Sequence, residues 1–266
     1  MFVEMGLSYF EKFKILVKAS KIIKNWYEIP NVYLGFTKKE EIILKMKNKL
    51  NITIRSTLSD IMQFTTVWLV KDYEHRDFEI KNDDTIIDIG SHIGLFSLYA
   101  SQKCKKGKIF SFEPVKSNYN IFLKNIKTNH LKNIFSFNKA VSKETGLVKI
   151  NLHKDESGHS LFETGGESIT VESMSLKEII EKNSIEECDL IKMDCEGGEY
   201  EIIDSLPDKY FEKINKFIIE YHFEDKKPQL VMDLIKKLKS NSFEIEKNEW
   251  KNGMGLIYAK NKKIRK

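Results

Sequence analysis

The sequence predicts a doubly wound α/β domain: a mostly parallel sheet with helices on both faces, one antiparallel edge strand and a helical N-terminal extension. Three observations carry that prediction. From residue 85 onward, short apolar runs alternate with segments of helical periodicity, and such alternation builds a parallel sheet covered on both faces. The runs themselves, Thr85-Ile86-Ile87-Asp88-Ile89 for example, carry apolar residues at both odd and even positions, as strands buried on both faces must. The last two runs, 243–247 and 255–260, follow one another without a helix between them, which reverses one strand at the edge.

Composition agrees. A chain of 266 residues, 41% hydrophobic, suffices for one large domain with a full core, alone or with a small appendage. With 31% charged residues, 13 Gly and 4 Pro, it is neither disordered nor collagen-like. No apolar run approaches the ~20 residues of a membrane span, and the N-terminus lacks the pattern of a secretory signal. Cys104, Cys188 and Cys195 form no C-x-x-C pair. That speaks against a disulfide framework or a zinc knuckle and points to the reducing cytoplasm.

Residues 2–27 carry Phe10, Phe13, Leu16, Ile23 and Trp26 among lysines at helical spacing. They read as one or two amphipathic helices, resting either on the core or on a membrane or partner surface. The helical extension is expected over 1–50 and the α/β domain over 51–266. Residues 50–70 read as short strands turning near Ser59-Asp60. Strands are then expected at 85–90, 108–113, 134–141, 189–194 and 216–221, and helices at 95–102, 117–129, 175–182, 199–206 and 228–241. Two extra strands, 146–153 and 168–174, suggest a hairpin turning at Gly165-Gly166.

The net charge of +5 is uneven. Residues 1–50 hold 10 Lys against five acids, and residues 251–266 hold six basic residues and no acid. The body between them is therefore acidic. Only Arg55, Arg76 and Arg265 are arginine, and surfaces that read nucleic acid favour the bidentate guanidinium. DNA is not an expected partner and RNA is disfavoured. The basic N-terminal helices leave room for peripheral contact with the inner face of a membrane.

In a doubly wound sheet, ligands bind beyond the carboxyl ends of the strands. After the first strand comes Asp88-Ile89-Gly90-Ser91-His92-Ile93-Gly94. It lacks two glycines of a G-x-G-x-x-G dinucleotide turn and suits a nucleoside with an amino-acid tail and no pyrophosphate. Glu113, 25 residues after Asp88, stands where an acid grips ribose hydroxyls; a helix cap or a surface charge is the plainer alternative. Ala140-Val141 should flank an adenine ring. The fourth strand ends in Lys192-Met193-Asp194-Cys195-Glu196-Gly197-Gly198-Glu199 and the fifth in Glu220-Tyr221-His222. So many ionisable groups at buried strand ends need partners. They are either a functional cluster or a salt-bridge network with helix-capping acids.

Together these motifs resemble the FkbM family of S-adenosylmethionine-dependent methyltransferases, over about residues 52–224. Arg55, Ser59-Asp60 and Tyr73 resemble the segment that leads into that family's domain. The resemblance implies a seven-stranded Rossmann-like sheet and O-methylation of a sugar, glycan or secondary-metabolite hydroxyl, with S-adenosylmethionine as cofactor. It implies that Asp88, Gly90 and Gly94 hold the methionine part and Glu113 the ribose, with Ser91, His92, Ala140 and Asp194 also on the cofactor side. Lys192, Asp194, Glu196, Glu199, Glu220 and His222 would line the acceptor side. A hydroxyl acceptor needs its proton removed: His222 has the suitable pKa and Asp194 the better position. Asp194, Glu196, Glu199, Glu220 and His222 also make an oxygen-rich set for Mg²⁺ or Mn²⁺, although carboxylates that bind a sugar by hydrogen bonds give the same pattern. His153, Ser157, Gly158, His159 and Ser160 form either a lid over the acceptor or a solvated loop.

Overall fold

A computed structural model of the chain describes residues 9–151, 168–250 and 253–264. Helix α1 (Tyr9–Ile22) buries Ile15 and Ala19, four residues apart on one face, and the stripe continues into Ile23. Helix α2 (Glu28–Tyr33) buries Ile29 and Val32. Strands β1 (Glu41–Lys45) and β2 (Asn51–Arg55) then pair antiparallel, with Ile42 opposite Ile54 and Leu44 opposite Ile52. The 1–50 segment, expected as helical, therefore also contains a strand, and residue 50 falls inside a hairpin. Burial that alternates along Glu41–Lys45 is the signature of a strand with one covered face.

The strands expected over 50–70 are met only by β2. Residues 58–70 are helical: α3 (Leu58–Phe64) starts at Thr57, whose hydroxyl accepts from the Asp60 amide, and runs on as a π-helical stretch, Thr65–Val70. β-Branched Thr65, Thr66 and Val67 favour a strand by propensity. Packing overrides it, because Ile61, Phe64, Trp68 and Leu69 join one buried cluster with Leu98 and Phe122.

Strand and helix then alternate as β3 (Thr85–Ile89), α4 (Leu95–Lys103), β4 (Lys108–Phe112), α5 (Lys116–Thr128) and β5 (Ile134–Phe137). The strand expected over 134–141 is two strands. Asn138 interrupts it, donating to the carbonyls of Glu113 and Pro114, both at 2.9 Å. After this kink, β6 (Ala140–Ser142) leaves the central sheet. A small second sheet forms with β7 (Gly146–Asn151) and β8 (Ser168–Ser175), which pair antiparallel. The turn expected at Gly165-Gly166 lies outside the described residues. Helix α6 (Leu176–Lys182) is capped by the Ser175 hydroxyl. There follow β9 (Leu190–Met193), α7 (Glu199–Ser205), α8 (Asp208–Phe211), β10 (Lys216–Tyr221), α9 (Pro228–Ser240), β11 (Phe243–Glu249) and β12 (Gly255–Asn261).

Among the described residues, seven strands form the central sheet in the order β11-β12-β10-β9-β3-β4-β5. Strands β10, β9, β3, β4 and β5 run parallel. The reversed strand is β12, antiparallel to both β10 and β11; it lies one place in from the edge, with β11 outermost. Alternation along each strand divides the core. Ile86, Ile109, Leu190 and Ile218 face the N-terminal segment, α4 and α5. Ile87, Phe110, Ile191 and Ile219 face the layer of α6 to α9. The N-terminal segment is thus part of one covering layer of the sheet. Asn125 of α5 and Asn129, the residue that caps its C-terminal end, tie the hairpin to that layer. Asn125 bonds both the amide and the carbonyl of Thr53, and Asn129 does the same for Asn51.

Candidate cofactor cleft and catalytic cluster

The chain leaves β3 outward to β4 and β5 and returns to β9 on the other side of β3. At this switch point the loops diverge and a crevice opens. Residues two apart on a strand share a face, so Asp88, Lys192 and Glu220 stand on the face of Ile86, Leu190 and Ile218. Across the sheet, Ile218, Lys192, Asp88 and Ser111 are neighbours in register. Lys192 Nζ donates to the Gly90 carbonyl at 3.0 Å and lies 3.5 Å from Asp88 Oδ1 and 3.5 Å from Asp194 Oδ2. Ser97 of α4 donates to Asp88 Oδ2 at 2.5 Å. Burial opposes the charge on Lys192, but Asp194, Asp88 and Glu220 outweigh it and raise its pKa. Asp88 and Lys192, expected to touch methionine and acceptor respectively, are both buried under the glycine turn. They form its floor, and Lys192 bridges Asp88 and Asp194.

The turn is fixed by contacts inside the protein. Gly90 has φ +74°, and a Cβ there would lie 1.7 Å from the Asp194 carbonyl oxygen. At Gly94 a Cβ would meet the Phe122 ring at 2.0 Å. The two glycines let β3 and α4 close on β9 and α5. Ser91 donates its hydroxyl to the Asp88 carbonyl at 3.0 Å. His92 Nε2 lies 2.8 Å from Arg55 Nη2. A guanidinium only donates, so Nε2 accepts and the ring proton sits on Nδ1. Asp60, fully buried, holds that guanidinium at 2.8 Å.

Above this floor lies a cleft of about 660 Å³, including its open mouth, whose lining includes Gly90, His92, Glu113, Ala140, Asp194 and Glu196. The Glu113 carboxylate accepts from the His92 amide at 2.8 Å and the Val115 amide at 2.9 Å. Burial nevertheless pushes its pKa up to about 7. Gln63, Asn118 and Ile150 also line the cleft and were not singled out from the sequence. They arrive from α3, α5 and the small sheet, and only Asn118, five residues after Glu113, carries a local signal.

Beyond Asp194 the carboxylates and imidazole converge. Asp194, Glu220 and His222 each bring one ligand-type atom, all within 4.8 Å of one another. His222, 2% exposed, has Nδ1 3.1 Å from Glu199 Oε1. Its Nε2 lies 3.4 Å from Glu196 Oε2 and 3.8 Å from Glu220 Oε1 and makes no hydrogen bond. Glu199 is fully buried and also accepts from the amides of Gly197 and His222. It therefore orients His222 and cannot reach an acceptor. The Tyr73 hydroxyl donates to Glu220 at 3.0 Å. Burial, then Asp194, push Glu220 up to about 8. Burial works against a charged His222, but Glu199, Glu196 and Glu220 outweigh it and hold the pKa well above the ordinary range. His153, Ser157, Gly158, His159 and Ser160 lie outside the described residues.

A sheet of this order, with its reversed strand next to the edge and a glycine turn facing an acid on the adjacent strand, is the expected architecture of a class I methyltransferase. The chain belongs to the FkbM methyltransferase family: residues 88–245, more than half of it, match the Methyltransferase FkbM domain. It is 23% identical over 191 residues to the Methyltransferase sdnD of Sordaria araneosa, covering 59% of this chain and 74% of that one. It is 25% identical over 145 residues to the hexuronic acid methyltransferase AglP of Haloferax volcanii, covering 54% of this chain and 58% of that one. Among solved structures, M. jannaschii TYW2 in complex with AdoMet aligns over 84% of this chain and 85% of that one, at 14% identity and a TM-score of 0.44, too distant a likeness to bear on the acceptor. Among the described residues, no helix is long and apolar enough to cross a membrane.

Proposed function

We propose that the chain is an S-adenosylmethionine-dependent O-methyltransferase acting on a hydroxyl of a sugar, glycan or secondary metabolite. The observation that carries this reading is one continuous path. Glu113 and Asp194 line the same cleft, and Asp194 also belongs to the cluster with Glu220 and His222.

The residues present fit the donor. Glu113 offers a buried carboxylate for a ribose, Val141 and Ile150 offer apolar walls for an adenine, and Gly90 presents backbone without a side chain. When bound, S-adenosylmethionine supplies a methyl group already activated on a sulfonium. The protein's work is alignment, which can be worth effective molarities of ~10⁵–10⁸ M. Asp194 lines the cleft, whereas His222 lies buried behind it. Asp194 is therefore the group that receives the acceptor's proton, and His222 the group that positions and polarises it. Similarity to a hexuronic acid methyltransferase supports a sugar acceptor. The proposed compartment is the cytoplasm, which keeps thiols such as Cys104, Cys188 and Cys195 reduced.

Thermal unfolding with ligand is the first test. S-adenosylmethionine at 100 times its Kd should add about 2.7 kcal/mol, a shift of several degrees, and Glu113→Ala should lose most of it. Stabilisation by NAD in place of the methyl donor would overturn the reading. Isotope-labelled methyl groups should then pass to sugar hydroxyls, uronic acids included. Transfer to RNA with none to sugars would overturn the acceptor assignment.

A further inference from the structure

Four carboxylates, Asp194, Glu196, Glu199 and Glu220, converge on one imidazole and one ammonium. The ammonium, Lys192, is shared with Asp88 and the Gly90 carbonyl, so it serves the β3 side of the cluster and leaves the β10 side to the imidazole. On that side stands an imidazole nitrogen with no hydrogen bond. His222 Nε2 is buried, in a setting where an unmade bond to a polar atom costs about 1–3 kcal/mol. Its partner nitrogen is committed: Nδ1 faces the fully buried Glu199 at 3.1 Å. That bond holds a proton on Nδ1 and leaves Nε2 facing Glu196 and Glu220, where a divalent cation would take the place of the second ring proton. A carboxylate holding the far nitrogen of an imidazole is the arrangement that orients histidine ligands on metals.

We propose that Asp194, Glu220 and His222 form a binding site for one divalent cation, with Glu199 as the positioning residue behind His222. Their ligand atoms lie within 4.8 Å of one another, close enough to gather round a single ion. Two carboxylates with one imidazole suit Mn²⁺ better than Ca²⁺ or Mg²⁺, which favour all-oxygen sets. The site opens through Asp194 onto the cleft, so its cation would stand beside an acceptor hydroxyl and lower that hydroxyl's pKa. This consequence rests on the O-methyltransferase reading above; the binding site does not.

The test uses the full chain, stripped of metal with a chelator and titrated with MnCl₂ by calorimetry and electron paramagnetic resonance. One saturable site per chain is expected, with spin-echo modulation from a single imidazole nitrogen. Glu220→Gln and His222→Ala should each weaken Mn²⁺ at least about tenfold. Glu199→Gln, which alters contacts to the far nitrogen, nearby amides and the Cys195 thiol and to none of the three ligand atoms, should weaken it about 10–100-fold. The modulation is read on the unaltered protein, so misfolding of a variant cannot decide the outcome. No saturable binding at millimolar Mn²⁺, or binding without nitrogen modulation, overturns the site. S-adenosylmethionine binding, measured on the same metal-free sample, separates the two ideas. Protein that takes the donor but not Mn²⁺ refutes the cation site alone; the reverse refutes the methyl donor alone.

Discussion

Burial holds the Glu113 carboxyl at about 7 although the amides of His92 and Val115 both point at it. Ribose hydroxyls donate more strongly to this group when it is ionised. Because its folded pKa lies above the ordinary carboxylate value, its contribution to stability is full at low pH and is lost as pH rises through 7. Donor binding follows the opposite sign: affinity should rise through pH 7 and level off above it. At pH 6 about one carboxyl in ten is ionised, so affinity should be lower than at pH 8 by up to about tenfold. Calorimetry across that range checks this, and Glu113→Gln should flatten the profile. Lys192 makes a second prediction. Lys192→Met leaves Asp88 without its buried cation and Asp194 without its neighbour. Loss of one partner of a buried pair costs roughly 3–5 kcal/mol, to be read from urea unfolding. Glu113 was legible from its distance to Asp88. The depth of Asp88 and Lys192 was not, because which face of a strand a residue takes depends on the layer that covers it.

At the scale of elements, the hairpin of β1 and β2 would be an open edge without α5. Asn125 and Asn129 supply the missing partner by bonding the backbone of Thr53 and Asn51. Asn125→Ala leaves a buried amide and carbonyl unpaired, each worth about 1–3 kcal/mol. Hydrogen exchange at the Thr53 amide should accelerate, while amides of β9 and β10 change only through global stability. No spacing rule announces such side chain-to-backbone pairing across 72 residues. Residues 58–70 teach the complementary point. Their β-branched residues argued for strands, and burial beside Leu98 and Phe122 made them helical.

For the whole molecule, the N-terminal segment is part of the fold. Ile23, Ile29, Ile42, Leu44 and Met46 are buried in the cluster that also holds Ile86 and Leu98. Each such side chain contributes roughly 1.5–3 kcal/mol, together comparable with the roughly 5–15 kcal/mol net stability of a typical domain. Deleting residues 1–50 should therefore give a chain without a cooperative melt in circular dichroism; a truncated protein that melts like the intact one would make this segment a mere appendage. Membrane contact through the basic N-terminal helices can be examined by liposome co-sedimentation only with that segment in place. The sequence by itself determined the alternation of strands and helices from residue 85 onward, the glycine turn and the family, and it marked Glu113 as a candidate ribose acid, because periodicity and motif spacing are local properties of the chain. Only the tertiary structure decided that β1 belongs in a hairpin, that Asp194 reaches the cleft while His222 stands behind it, and that Glu199 acts through the imidazole. Those outcomes depend on which surfaces meet across the sheet, and burial, charge pairing and the choice of face exist only once they have met.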